Sequence, residues 1–227
     1  MRHRLDSMLT TTKEPTIYGI KIWPIAVYLT VAMHFFGLLF MNFSFSRELF
    51  ERLTPVNLLF SALFLGIFQT HKVQKFWLFS VLVAFLGYAA ELLGVHTGLV
   101  FGHYWYDNNL GYKLWAVPPL IGLNWWTLTV ASNSFWREYV SQKWLLAILS
   151  ALTMTFMDYL IEPFAMQRGL WSWQNDSVPF QNYVAWFGFS FLFSCLYLWL
   201  VDEEASNKFS KILLACMLAF FGLMLLF

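Results

Sequence analysis

Three carboxylates lie at or inside the ends of long apolar runs, where acidic residues are unusual. Glu91 follows one run, and Asp158 and Glu162 lie four residues apart in another, which places them on one face of a helix. Acids at membrane depth are energetically costly and by default indicate function. Because burial disfavours the ionised form of a carboxyl group, one of these acids could stay protonated near neutral pH and donate a proton. In the alternative interpretation, the acids pair with Arg168 or Lys113, or cap neighbouring backbone.

Two segments with aromatic and amide side chains follow these carboxylates and resemble copies of one pattern. Each has a carboxylate that ends a helix, an aromatic-x-aromatic triplet, a Val-Pro pair, and an Asn and a Trp that open the next helix. Internal duplication is common in membrane proteins, and binding sites form where the halves meet. The candidate contact residues are Tyr104, Trp105 and Asn124 in the first segment and Trp171, Trp173 and Asn182 in the second.

These side chains suit acid-catalysed chemistry through a carbocation on a lipophilic polyene. A desolvated acid can protonate an alkene, aromatic faces stabilise cations, and an asparagine amide can hold a water molecule. The alternative for the rings is an aromatic belt at the membrane interface, which is a purely structural role.

Sequence signatures of cofactors, metals and nucleic-acid binding are absent. The five histidines show no HxxxH or HxxHH spacing, Cys195 and Cys216 form no CxxC pair, and neither GxGxxG nor a Walker-type phosphate loop occurs. We therefore expect no metal site and no cofactor. The formal net charge of +1, without a dense basic stretch, argues against a nucleic-acid partner.

The elements that position these residues are predicted to be transmembrane helices. The 227 residues are 59% hydrophobic and only 12% charged, whereas soluble domains average about 25% charged residues. Apolar runs that span or nearly span a bilayer occupy residues 23–43, 55–69, 76–93, 116–133, 144–161, 183–201 and 212–227. The second and last runs are short, so six or eight spans remain open. We predict one integral membrane domain over residues 1–227, an all-α polytopic transmembrane helix bundle of about seven spans.

Loop charges predict the orientation of this bundle. With seven spans, ten Lys and Arg residues lie on the N-terminal side and four on the opposite side, which together account for all 14. The positive-inside rule then places the N-terminus on the cytoplasmic side of a bacterial or archaeal cytoplasmic membrane. The connections 94–115 and 163–181 follow the third and fifth spans and therefore share one membrane face. Both are rich in aromatic residues, so we expect them to fold back into the headgroup region or the mouth of the bundle.

A resemblance to a known family rests on two segments. The first contains ELLGVHTGLVFGHYWY over residues 91–106, followed by Leu110-Gly111 and Val117-Pro118. The second contains DYLIEP over residues 158–163, WSW over 171–173, Pro179, and NYVAW over 182–186. Over roughly residues 76–187 they resemble the membrane carotenoid biosynthesis family. That family includes the cofactor-independent carotenoid 1,2-hydratases of the bisanhydrobacterioruberin and γ-carotene type.

The resemblance implies that water adds across the terminal C1'–C2' double bond of an acyclic carotenoid end, with a tertiary alcohol as product. It also implies a lipophilic carotenoid substrate within the lipid bilayer. We assign the three carboxylates to the acid/base group, the four aromatic candidates to cation-facing or substrate-lining positions, and the two asparagines to positioning water. The sequence leaves open which carboxylate donates the proton, which carotenoid is used, and the oligomeric state.

Three other functions fit parts of this pattern. A small membrane carotenoid cyclase would begin with the same protonation, but a neighbouring double bond would capture the cation; the polar asparagines favour water. A proton-coupled carrier would also contain intramembrane acids and a repeat, but here the polar residues cluster at one face and do not line a path across the bilayer. A retinal-binding seven-helix protein needs a lysine in its last helix, and residues 212–227 contain none.

Overall fold

Helices form most of the structure. The computed structural model describes residues 15–17, 19–72, 74–201 and 203–226. Its helices are α1 (Ile22–Phe40), α2 (Arg47–Arg52), α3 (Thr54–Phe68), α4 (Gln74–Thr97), α5 (Leu120–Arg137), α6 (Lys143–Gln167), α7 (Phe180–Leu200) and α8 (Phe209–Met224). Since only Leu53 separates α2 from α3, the described residues contain seven long helical segments, one for each predicted run. The predicted all-α bundle of about seven spans is confirmed.

Lipid-facing and protein-facing helices differ in composition. Among the described residues, α1, the α2–α3 segment, α4, α6 and α7 are long and apolar enough to cross a membrane, and α8 is a shorter apolar helix. Helix α5 is more polar because it is central: twelve of its 18 residues are buried, and it packs against α3, α4, α6, α7 and α8. Polar and small residues are favoured where one helix contacts others inside a membrane bundle. The helices are therefore those of a membrane protein.

The two long connections start later than the sequence predicted. They begin at residues 98 and 168 instead of 94 and 163, because α4 continues to Thr97 and α6 continues through Pro163 to Gln167. Proline is tolerated inside transmembrane helices, where neighbouring groups satisfy the backbone carbonyl that it leaves unpaired. Glu91 and Glu162 consequently lie inside helices, each more than a turn before the helix ends.

The two connections pair with each other. The strands of the structure are β1 (Thr16–Ile17), β2 (Ile20–Lys21), β3 (Tyr104–Tyr106) and β4 (Trp171–Trp173). β1 pairs with β2, and β3 pairs with β4 in an antiparallel register that sets Trp105 opposite Ser172. A short 3-10 turn follows each of the latter strands, at Asn108–Leu110 and Gln174–Asp176. The prediction that the two aromatic loops fold back on one face of the bundle is confirmed.

The units α4–β3–α5 and α6–β4–α7 meet as two copies of one motif. Besides the pairing of their strands, the rings of Trp125 in α5 and Trp186 in α7 stack with centroids 3.8 Å apart. Trp125 lies seven residues after Pro118, and Trp186 lies seven residues after Pro179, so the spacings match as well. The two tryptophans are therefore equivalent positions of the predicted repeat.

Candidate active site

The carboxylate of Glu91 on α4 is enclosed by three hydrogen-bond donors. Its Oε2 accepts hydrogen bonds from Tyr104 Oη at 2.5 Å and Tyr106 Oη at 2.8 Å, and its Oε1 accepts one from Trp125 Nε1 at 3.0 Å. Side chains alternate along a strand, so the two tyrosines lie on the same face of β3 and reach the carboxylate together. Glu91 is only 4% exposed and is the acceptor at the centre of a closed network.

Glu162 and Asp158 on α6 form a second cluster. Glu162 Oε2 accepts hydrogen bonds from Trp171 Nε1 at 2.8 Å and Trp173 Nε1 at 2.7 Å. Asn182 Nδ2 donates to Asp158 Oδ2 at 2.7 Å and to Glu162 Oε1 at 3.5 Å. Because the two carboxyl groups share one amide, their side chains lie on the same face of α6, as their spacing of four residues predicts.

One pair of rings connects the two clusters. The rings of Tyr104 and Trp173 lie with centroids 4.9 Å apart, and these side chains donate to Glu91 and Glu162, respectively. Burial first, and then the carboxylate of Glu91, raise the pKa of the Tyr104 phenol. Tyr104 therefore stays protonated and continues to donate at physiological pH. Strand pairing brings all three predicted acids to one site at the loop end of the bundle.

The two cations that were expected as alternative partners of the acids bind elsewhere. Arg168 Nη1 donates to Met41 O at 2.9 Å and lies 3.8 Å from Glu51 Oε1. Lys113 Nζ donates to Tyr106 O at 2.9 Å. Neither of these described cations pairs with the three acids, so the ion-pair interpretation is wrong. The acids are held by neutral donors in a desolvated setting, where an uncompensated charge is costly.

A cavity opens onto Glu162 and is named the Glu162 cavity here. Its volume is about 320 Å³, and it lies where α6 ends and α7 begins, beside Leu225 after α8. Tyr159 and Tyr183 line it with ring centroids 5.8 Å apart, and the exposed amide of Gln167 lines it as well. Of the three acids, Glu162 is the one at the cavity wall.

Four of the six predicted contact residues lie at the acids. Hydrogen bonds to the acids come from Tyr104, Trp171, Trp173 and Asn182. The side chain of Trp105 lies on the opposite face of β3 and is 50% exposed, because strand side chains alternate. Asn124 lines a different cavity and is not the repeat equivalent of Asn182. The structure does not bring Trp105 and Asn124 to the carboxylates.

Two residues at the site, Tyr106 and Trp125, were not among the predicted contact residues. Both lie in the repeated pattern, and the signal that could have found them is positional: Tyr106 shares a strand face with Tyr104, and Trp125 matches Trp186 in spacing. Gly87 supports this arrangement, because a Cβ there would lie 2.6 Å from Cβ of Trp125. The indole therefore packs directly on α4, one turn from Glu91.

Proton transfer beside aromatic rings is the chemistry that this arrangement can perform. Carboxyl groups supply or accept the proton, and the ring faces around them can stabilise a cation. Within the described ranges, no group of three or more His, Cys, Asp or Glu side chains is arranged to hold a metal ion. The phenol, indole and amide groups fix the carboxyl oxygens in place.

The chain matches a known protein family over most of its length. The model of a family described as "Carotenoid biosynthesis protein" matches residues 53–227, which include both carboxylate clusters and every helix from α3 onward. The chain belongs to the carotenoid biosynthesis protein family. The resemblance is confirmed, and the match extends beyond the two segments on which it rested. No curated protein and no solved structure matches this carotenoid biosynthesis protein.

Proposed function

We propose that this carotenoid biosynthesis protein is a hydratase that adds water across the terminal C1'–C2' double bond of an acyclic carotenoid end group. The observation that carries the proposal is the pair of carboxyl groups on α6, Asp158 and Glu162, which share one amide and of which Glu162 lines the Glu162 cavity. The reaction requires an acid, a cation-stabilising wall and access for water. Each requirement has a counterpart at this site.

The Asp158–Glu162 pair supplies the proton. Asp158 and Glu162 are buried, share the Asn182 amide and have no ion pair with a cation among the described residues. Burying them with a proton between them is less costly than burying two anions. Glu162 lines the cavity and is therefore the member that contacts the end group. Transfer of its proton to C2' leaves a tertiary carbocation at C1' and a carboxylate on the protein.

Aromatic faces and the new carboxylate stabilise this cation. Tyr159 and Tyr183 form walls of the cavity, and the indoles of Trp171 and Trp173 hold Glu162 in position. A ring face over a desolvated cation contributes about 2 kcal/mol. The carboxylate that remains after proton transfer lies beside the positive charge and adds preorganised electrostatic stabilisation.

Water attack at C1' completes the reaction. The water oxygen bonds to C1', and one water proton passes to the carboxylate, so the acid is regenerated and the net change is the addition of one water. The Glu162 cavity lies at the loop end of the bundle, and the exposed Gln167 lines it, which gives interfacial water a route to the cation. This route favours hydration over cyclisation, in which a neighbouring double bond captures the same cation.

Expression of the chain in a bacterial host that makes lycopene or γ-carotene tests this function. We expect a new, more polar pigment that is heavier than its precursor by one water for each hydrated end, detected by chromatography and mass spectrometry. The empty vector and the Asp158→Asn, Glu162→Gln double variant are the controls. A pigment of unchanged mass with a shifted absorption spectrum would identify a cyclase instead, and no new pigment from either substrate would contradict the proposal.

A further inference from the structure

A second, apolar cavity lies between α1, α3, α5, α6 and α8 and is named the Asn124 cavity here. Its volume is about 140 Å³, and it is open on one side. Its apolar walls include Met33, Met41, Met217, Phe164, Phe220 and Phe221. Flexible methionine side chains adapt to apolar ligands of irregular shape. None of the described residues that line the cavity is Asp, Glu, Lys or Arg, so an ionic ligand has no charged partner there.

Asn124 provides an unused polar group in this cavity. Its Oδ1 is buried and has no hydrogen-bond partner among the described residues, although buried polar groups are nearly always paired. Neighbouring polar side chains do not satisfy it, since Thr127 donates to Leu123 O at 2.9 Å and Ser61 donates to Asn57 Oδ1 at 3.2 Å. An unpaired acceptor in a cavity of this size indicates a ligand that donates a hydrogen bond.

His34 offers a second acceptor in the same cavity. Its Nδ1 lies 2.8 Å from Thr30 O, and because a carbonyl only accepts, Nδ1 carries the proton of the neutral ring. Nε2 is then an acceptor, and His34 lines the cavity together with Asn124. The amide nitrogen of Asn124 can in turn donate to an oxygen. A hydroxyl group has one O–H, which can donate to one of these two acceptors, and an oxygen that can accept from the Asn124 amide.

We infer that the Asn124 cavity binds the tertiary-alcohol end of an apolar isoprenoid chain, the rest of which extends out of the cavity between the helices. The chain belongs to the carotenoid biosynthesis protein family, and carotenoids are isoprenoids, so an isoprenoid chain is the apolar ligand that we expect. Leu53 and Val56 line the cavity and are exposed, so an apolar chain can enter from the side of the bundle. Such an alcohol is the product class of the proposed hydration, and the assignment of the ligand rests on that proposed function. The cavity is a binding site for product, separate from the Glu162 cavity.

Binding of saturated or nearly saturated probes to the purified protein tests this site without catalysis. The probes are isophytol, a tertiary isoprenoid alcohol; phytane, the hydrocarbon with the same skeleton; and 1-eicosanol, a straight-chain alcohol of equal carbon number. None of them contains the trisubstituted end-group double bond on which the proposed reaction acts. Native mass spectrometry from detergent micelles measures the bound fraction, so the result is independent of whether the protein is a hydratase.

We expect the wild type to prefer isophytol over phytane by roughly fivefold to tenfold, the effect of one or two hydrogen bonds. The Asn124→Leu variant should lose this preference and still bind phytane, which shows that the cavity is intact. Asn108→Leu is the same change at an exposed position outside the cavity, and this variant should keep the preference for isophytol. Should Asn124→Leu fail to fold, Asn124→Ser retains a hydroxyl and is expected to keep part of the preference.

Three results would overturn the inference. Equal affinity of the wild type for isophytol and phytane would remove the role of the hydroxyl. An unchanged isophytol preference in both Asn124 variants would remove the role of Asn124. Binding of 1-eicosanol as tight as that of isophytol would assign the cavity to membrane alcohols in general rather than to isoprenoid alcohols.

Discussion

Replacement of Glu162 by glutamine is expected to lower the rate of hydration by about 10²–10⁴-fold, the usual contribution of a general acid. Glutamine keeps an acceptor oxygen for the two indole donors of Trp171 and Trp173, so the site should keep its shape while it loses its proton. Pigment yield per amount of protein in the membrane fraction of a lycopene-producing host measures the effect.

The control for this variant is Glu138→Gln. Glu138 pairs with Lys211 and takes no part in the carboxylate clusters, so the same change of charge there should leave hydration within about twofold of the wild type, as for most substitutions away from a site. Activity of Glu162→Gln equal to that of the control would remove Glu162 as the acid. Retained activity in the corresponding amide variants of Asp158 and Glu91 as well would remove the acid assignment altogether.

Replacement of Glu91 by glutamine is expected to affect stability as well as activity. Glu91 accepts three hydrogen bonds, one of them from Trp125, whose indole can only donate. The amide nitrogen of glutamine cannot accept, so at least one buried donor loses its partner, at a cost of about 1–3 kcal/mol. We therefore expect a clearly lower Tm of the detergent-solubilised protein and a parallel loss of hydration activity. Size-exclusion chromatography after heating to a series of temperatures measures the Tm.

Tyr106→Phe is the matched variant for this prediction. It removes one donor and leaves Glu91 with two, so no buried donor is left unpaired, and we expect a smaller drop in Tm than for Glu91→Gln. If Glu91→Gln melts at the wild-type temperature, the closed network around this carboxylate does not contribute to stability.

Much of the fold follows from apolar patterning. Runs of apolar residues predict helices because only a helix satisfies its own backbone in lipid, and each predicted run overlaps a helix of the structure. The helix ends were less predictable. Pro163 suggested the end of a helix, yet α6 extends to Gln167, because packing within a bundle can satisfy the carbonyl that proline leaves unpaired. The side of the membrane on which the N-terminus lies stays a prediction.

The types of residue at the site could be predicted from the sequence, but their partners could not. The three acids and the aromatic triplets were identified from composition and spacing. Which donor contacts which acid depends on the pairing of β3 with β4, a contact between segments far apart in the chain. The same pairing fixes the strand alternation that turns Trp105 outward. Asn124 was paired with Asn182 by residue type, whereas the repeat aligns the tryptophans that follow the two Val-Pro pairs.

The origin of the added oxygen tests hydration most directly. Purified protein in lipid nanodiscs would be incubated with lycopene in water labelled with ¹⁸O, and separately in D₂O, and the product examined by mass spectrometry. We expect one labelled oxygen from water at C1' and one deuterium at C2' for each hydrated end, and little or no labelled product from the Glu162→Gln variant. An oxygen that derives from O₂, or a product that contains no added oxygen, would contradict the proposal.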